Sequence, residues 1–205
     1  MNPPRIVGVL LAAGRGTRFG GGKLAALLTA GPQAGVPVGV ASCRRLCAAL
    51  EAVVAVVPPG DAAIAAALGR EGAQVVIAER ADDGMGASLA AGIVGAAEAD
   101  GYVVALADMP WVATETIRAV ADALRRGASL VAPRYRGRRG HPVGFGAAHR
   151  DALAALAGDE GARSILDAHP SSLRFVDVDD PGILRDVDVP ADLAERDDPR
   201  TARRR

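Results

Sequence analysis

Short apolar runs alternate with longer amphipathic stretches along most of this chain. Ile6 to Leu11 reads as a strand covered on both faces, because its apolar character is nearly continuous. A glycine-rich loop follows, and Pro37 to Leu50 reads as a helix. Ala52 to Val57 is a second strand, closed by Pro58-Pro59-Gly60, and Asp61 can cap a helix to about Leu68. Ala73 to Ala78 is a third strand and Met85 to Ala99 a helix. Tyr102 to Ala107 is a fourth strand, ending at Asp108-Met109-Pro110. Thr114 can cap a helix to about Arg126, and Ser129 to Ala132 is a fifth strand. This alternation predicts an α/β fold: three α/β/α layers around a mostly parallel, Rossmann-like sheet.

The rhythm changes after Pro133. Gly137 to Phe145 looks like a turn and a short strand. Helices near Arg150 to Leu156 and Ala162 to Ala168 follow, then a strand at Leu173 to Val178. Asp186-Val187-Asp188-Val189-Pro190 leads into a short terminal helix. Residues 1–195 are therefore expected to form a single domain, and the Arg-rich stretch 196–205 a disordered tail.

Composition narrows the classes. Apolar residues make up 50% but aromatic ones only 3%, which suits closely packed layers of Ala, Val, Leu and Gly. Acidic and basic residues balance at 24 each, so net charge gives no ground for nucleic acid or membrane as a partner. Arg134, Arg136, Arg138 and Arg139 form a candidate local anion surface. Cys43 and Cys47, four apart on one helix face, read as small buried hydrophobes. With no disulfide framework, and an N-terminal apolar run too short to span a bilayer, a cytoplasmic location is expected.

Lys23 is the only lysine; every other basic residue is arginine. It closes the stretch Leu11-Ala12-Ala13-Gly14-Arg15-Gly16-Thr17-Arg18-Phe19-Gly20-Gly21-Gly22-Lys23. A compact ammonium on a flexible stem suits a crowded phosphate site where a planar guanidinium does not. Glycines let backbone N–H groups approach phosphate oxygens. A P-loop needs Ser or Thr after the lysine, but Leu24 follows. A dinucleotide fingerprint needs G-x-G-x-x-G, but Gly14, Gly16 and Gly20 are spaced G-x-G-x-x-x-G. The pattern L-A-A-G-x-x-x-R-[FM]-G-x-x-K matches at every fixed position. It resembles the signature of nucleotidyltransferases that activate small phosphorylated molecules with a nucleoside triphosphate. On this basis the loop backbone is assigned to the triphosphate and base, and Arg18 and Lys23 to phosphate charge.

Asp108 sits at the expected carboxyl end of a buried strand, on the edge that carries the glycine loop. A carboxylate there can hold Mg²⁺ against triphosphate oxygens, although a lone Asp after a strand equally suits a cap or turn. Asp186 and Asp188, two apart in an extended segment, face one side and would repel unless solvated or shared with a cation. Gly140-His141-Pro142 and Gly158-Asp159-Glu160-Gly161-Ala162-Arg163 read, by themselves, as a loop and a helix start.

Taken in order, these elements resemble the molybdopterin cytidylyltransferases, of the molybdopterin nucleotidyltransferase-like fold. The resemblance runs from about Ile6 to Leu193 and includes Gly84-Met85-Gly86-Ala87-Ser88-Leu89 and Ala107-Asp108-Met109-Pro110. Val189 stands where the family usually has Thr, and Leu24 to Val38 is less like the usual Leu-rich sequence. The resemblance implies a sheet of the nucleotide-diphospho-sugar transferase type and transfer of CMP from CTP to the phosphate of molybdopterin. It implies that Leu11, Ala12, Ala13, Gly14, Gly16, Arg18, Lys23, Ser88 and Asp108 bind nucleotide, with Lys23, Arg18 and Asp108 catalytic. It further implies that His141, Asp159 and Arg163 lie on the pterin side and that Asp108 and Asp188 share Mg²⁺. The implied partner is a molybdoenzyme or its delivery chaperone. GTP or another phosphorylated acceptor, or a non-catalytic cofactor-delivery role, are the alternatives.

Overall fold

Eight strands join in one sheet, each placed by its apolar run. They are β1 (Ile6–Leu11), β2 (Ala52–Val57), β3 (Gln74–Ile77), β4 (Gly101–Leu106), β5 (Leu130–Tyr135), β6 (Arg138–Arg139), β7 (Val143–Gly146) and β8 (Leu173–Asp177). The computed structural model describes residues 3–14, 16, 19–96 and 98–194. The order is β3-β2-β1-β4-β7-β5-β6, with β8 pairing along β5. β1 runs parallel to β2 and β4, β2 parallel to β3, and β5 parallel to β8. β7 is antiparallel to both β4 and β5. The sheet is mixed and mostly parallel, with helices on both faces, as the strand–helix alternation predicts.

Side chains alternate between the two faces with the period of two that a strand imposes. Ile6 and Leu10 of β1, Val53 and Ala55 of β2 and Val103 of β4 point to one face. There they meet Leu46 of α1 (Val38–Ala49), Leu68 of α2 (Ala62–Arg70) and Val120 of α4 (Thr114–Arg125). Val7, Val9, Val54, Val56 and Val104 point to the other. They meet Leu89 and Ile93 of α3 (Met85–Gly95), Leu153 of α5 (Arg150–Ala154) and Leu166 of α6 (Arg163–Ala168). Both faces of the central strands are thus dry, which is why their sequences read as continuous apolar runs.

The ends of several elements differ from expectation. β5 continues through Pro133 to Tyr135; the proline lacks a donor, but its carbonyl accepts from Gly140 N at 3.0 Å. Thr114 is the first helical residue of α4 and does not cap it; the cap position is Ala113. Its N–H is taken by a distant carboxylate, that of Asp180, at 2.8 Å. Asp61 does cap α2, accepting from Ile64 N at 3.1 Å. α3 ends at Gly95 and α5 at Ala154, both short of the expected bounds. The terminal helix is a 3-10 turn, Pro190–Leu193. The Arg-rich tail at 196–205 lies outside the described residues. None of the described helices is long and apolar enough to cross a membrane.

Candidate active site

The chain leaves β1 at Leu11, and Ala12 N extends the ladder by donating to Val56 O at 2.8 Å. Then the glycines take over. Gly20, Gly21 and Gly22 have φ of 88°, 94° and 65°, a left-handed run that side chains with a Cβ rarely adopt. Phe19 N and Gly21 N both donate to Gly16 O, at 3.0 and 3.3 Å, closing the loop on itself. Lys23 then opens a short 3-10 turn, Lys23–Ala25. Gly16 acts on the site through this lysine: a Cβ there would lie 3.2 Å from Lys23 Cβ. Arg18, expected to bind phosphate, lies outside the described residues.

The loop returns Lys23 to the carboxyl end of β4. Its Nζ is 2.7 Å from Asp108 Oδ2 and 3.6 Å from Asp188 Oδ1. Asp108 is held beside the C-terminal arm by its own backbone, since Val187 N donates to Asp108 O at 2.8 Å. Val187 is fully buried, and the acids on either side of it project into the site. Asp108, Asp186 and Asp188 each bring one carboxylate oxygen to within 4.8 Å of the others. Asp108 and Asp188, expected to share a metal, lie close enough to do so, and Asp186 joins them as a third acid. Asp192 steadies this arm by accepting from Asp188 N and Val189 N at 3.1 and 3.0 Å.

Among the described residues, three carboxylates converge on one ammonium. Asp108 Oδ1 is also buried with no hydrogen-bond partner among the described residues. An orphaned, buried carboxylate oxygen is costly unless a cation serves it. Hard oxygen donors converging from two chain segments suit Mg²⁺ or Mn²⁺, which take one or two protein carboxylates together with phosphate oxygens. The donor set therefore fits a divalent cation.

Two cavities open beside this cluster. The first, about 410 Å³, is lined by Ala13, Gly14, Lys23, Ser88, Asp108 and Asp159 among others. The second, about 290 Å³, holds His141, Arg139, Arg163 and Phe145. Leu11, Met85 and Leu106 line both, so the two spaces share a wall. Ala12 and Ala13 diverge. Ala13 faces the first cavity, whereas Ala12 is buried and lines an adjoining space of about 310 Å³ that shares Gly14, Lys23 and Leu24 with it. Asp159, expected with His141 and Arg163, lines the first cavity with Ser88 instead.

That placement follows from a backbone contact between two glycine motifs. Gly86 N donates to Gly158 O at 2.8 Å, and a Cβ on Gly84 or Gly86 would collide with the backbone at Gly158 to Glu160. Close approach at the start of α3 thus brings the loop carrying Asp159 onto the helix carrying Ser88. Ser88 is buried, its Oγ 3.4 Å from Gly84 O. His141 is walled in, and its Nδ1 finds no partner among the described residues. Burial pulls its pKa below the ordinary range; nearby Asp108 opposes this and Arg139 adds to it. The imidazole is accordingly neutral at pH 7.

Residues 8–173 match the model of the MobA-like NTP transferase domain. The chain belongs to this family. It is 34% identical over 194 residues to nicotine blue oxidoreductase of Paenarthrobacter nicotinovorans, covering 91% of this chain and 93% of the relative. It is 28% identical over 201 residues to the purine catabolism protein PucB of Bacillus subtilis, covering 93% and 95%. Among solved structures, Rv0371c of Mycobacterium tuberculosis superposes with a TM-score of 0.77 at 30% identity, covering 94% of this chain and 96% of that one. A manganese complex of the same protein superposes with a TM-score of 0.69 at 29% identity, covering 96% and 97%. A nucleotidyl transferase from Methanothermobacter shares the fold, with a TM-score of 0.76 at 24% identity, covering 92% and 94%.

As a MobA-like NTP transferase, the protein is a nucleotidyltransferase, and its site has the parts that phosphate chemistry demands: a glycine loop, an ammonium and converging carboxylates. Sequence reasoning noticed Asp186 but preferred its neighbour for the metal; only the fold shows that both reach Asp108. Arg139, read as part of a surface cluster, lines the second cavity. Nothing in its immediate sequence signals that position, which follows from the pairing of β6 with β5.

Proposed function

We propose that this protein transfers CMP from CTP to the phosphate of molybdopterin, releasing pyrophosphate. An oxygen of the acceptor phosphate bonds to the α-phosphorus of CTP. The bond from that phosphorus to its bridging oxygen breaks, and the electron pair leaves with pyrophosphate. The nucleophile is already an anion, so no strong general base is needed, and positioning with charge neutralisation suffices. The observation that carries this reading is the meeting of Lys23 with Asp108 and Asp188, with Asp186 beside them, where Lys23 and Asp108 line the 410 Å³ cavity.

In this account the first cavity takes the nucleotide. Gly14 and the loop backbone face the phosphates, Lys23 neutralises them, and Ala13 and Ser88 border the nucleoside. Asp108 and Asp188, with Asp186, would hold Mg²⁺, which would supply charge neutralisation for the triphosphate. The second cavity takes the acceptor. Its apolar floor at Phe145 suits a flat heterocycle, and the guanidinium of Arg163 suits the acceptor phosphate. The shared wall at Leu11 and Leu106 keeps the two substrates adjacent.

Ala13 favours CTP. Its Cβ narrows the first cavity and suits a pyrimidine over a purine. One methyl is worth only about 1–3 kcal/mol, so other contacts contribute. Mass spectrometry of products formed from each nucleoside triphosphate plus molybdopterin tests this. The expected product is molybdopterin carrying one cytidylyl group, formed most readily with CTP. Equal or better turnover with GTP overturns the cytidylyl assignment and leaves the transferase in place. The absence of pyrophosphate release with every nucleotide would overturn the transfer reading.

A further inference from the structure

The acids of the site come from opposite parts of the sheet. Asp108 follows β4, whereas Asp186 and Asp188 follow β8, which lies beyond β7 and β5. At about 4.8 Å per strand, that is a lateral gap of roughly 14 Å. The arm after β8 must therefore travel back along the edge of the sheet to bring its carboxylates to Asp108. Something must fix its course to within the tolerance of a metal site.

We infer that Asp180, at the start of this arm, is the positioning residue that sets Asp186 and Asp188 against Asp108. Asp180 is a buried carboxylate, only 8% exposed. Its Oδ2 accepts from Ala113 N at 2.8 Å and from Thr116 Oγ1 at 2.7 Å. Its Oδ1 accepts from Gly182 N at 2.9 Å. One carboxylate thus joins the N-terminus of α4 to the turn Pro181–Leu184. The segment from Asp108 to Ala113 leads directly from the first acid to this anchor. Both ends of the acidic cluster are consequently referred to the same buried group.

The contacts downstream carry that anchoring into the site. Gly182 packs so closely on Trp111 O that a Cβ would collide with it. His141 N donates to Ile183 O at 3.0 Å, and Gly140 leaves no room for a Cβ against the same carbonyl. Val187 N then reaches Asp108 O. Asp180 touches neither of the cavities that the reaction is assigned to; it acts through the arm. An anion at the N-terminus of α4 is also favoured by the orphan N–H groups there. The inference rests on the metal reading of the acidic cluster given above.

The test measures Mn²⁺ binding by electron paramagnetic resonance, in the full chain without nucleotide, well below the melting temperature. Asp180→Asn keeps the shape but turns one acceptor into a donor facing an N–H group. It is expected to weaken Mn²⁺ affinity about tenfold or more, as loss of groups that orient metal ligands does. Thr116→Val removes one of the donors and is expected to fall between Asp180→Asn and wild type. In a Asp188→Asn background, Asp180→Asn should add less than it does alone, because both act on the same ligand. A lower melting temperature with unchanged Mn²⁺ affinity in both Asp180→Asn and Thr116→Val would overturn the inference. If Asp180→Asn does not fold, Thr116→Val and its cycle with Asp188→Asn decide alone. If wild type and Asp108→Asn bind Mn²⁺ equally, the metal reading itself fails, which is a different outcome.

Discussion

Lys23 Nζ lies 2.7 Å from Asp108 Oδ2, although 85 positions separate the two residues in sequence. The side chain of Lys23 is only 12% exposed, so this ion pair is shielded from solvent. The same ammonium reaches Asp188 at 3.6 Å, so it lies between two of the three converging acids. In the proposed reaction this ammonium would pair with the triphosphate, leaving the carboxylates to hold a metal.

If Lys23 neutralises the transferring phosphate, Lys23→Ala should lower kcat/KM by about 100-fold or more, as loss of a single electrostatic donor does. Lys23→Arg should restore little, because the space behind Gly16 is shaped to a slim stem and the guanidinium is a wide fork. Steady-state kinetics of both variants check this; near-normal turnover in both removes the assignment.

Asp108→Asn and Asp188→Asn should each raise the Mg²⁺ concentration for half-maximal turnover by about tenfold or more. Their melting temperatures should move little, because each change also relieves repulsion within the cluster. Asp186 is the more exposed acid, and Asp186→Asn should have the smaller effect. A magnesium titration read alongside thermal melts separates a metal role from a structural one.

Ala13→Gly should narrow the preference for CTP over GTP by up to about 100-fold, the discrimination one methyl group can supply. Competition between the two nucleotides in one reaction, with the products resolved by mass, gives the ratio directly. An unchanged ratio would place the discrimination elsewhere in the cavity wall.

Burial lowers the pKa of His141, and burial with nearby His169 lowers that of His149. Both histidines bind protons more readily in the unfolded chain, whose ordinary value is about 6.5. Their contribution to stability is complete above that value and is lost as pH falls below it toward the depressed folded values. Urea midpoints should therefore drop between pH 7.5 and 5.5, and less so in His141→Gln. A midpoint in wild type that stays flat over this window would contradict the burial argument.

Much of the fold was legible because the central strands are dry on both faces. β1 and β2 begin and end at the expected residues, since their apolar runs are bounded by the glycine loop and by Pro58-Pro59-Gly60. The misjudged ends belong to long-range partners. Thr114 looked like a cap because local sequence cannot reveal that Asp180 takes the Ala113 N–H. Pro133 looked like a strand end because the acceptor role of its carbonyl depends on Gly140. The site was legible where chemistry is unusual for its surroundings, as with the single lysine and the acid after β4. The partition of Asp159 from His141 and Arg163 was not legible. It depends on Gly84 and Gly86 admitting the Gly158 backbone, a contact no local pattern encodes.

The most direct test of the metal–triphosphate site is a crystal structure with Mn²⁺ and CTP, read by anomalous scattering. The account predicts a manganese peak at ligand distance, about 2.1 Å, from oxygens of Asp108 and Asp188 and from triphosphate oxygens in the 410 Å³ cavity, with Lys23 Nζ moved from Asp108 onto a phosphate. A manganese peak remote from all three carboxylates, or CTP bound outside that cavity, would contradict it.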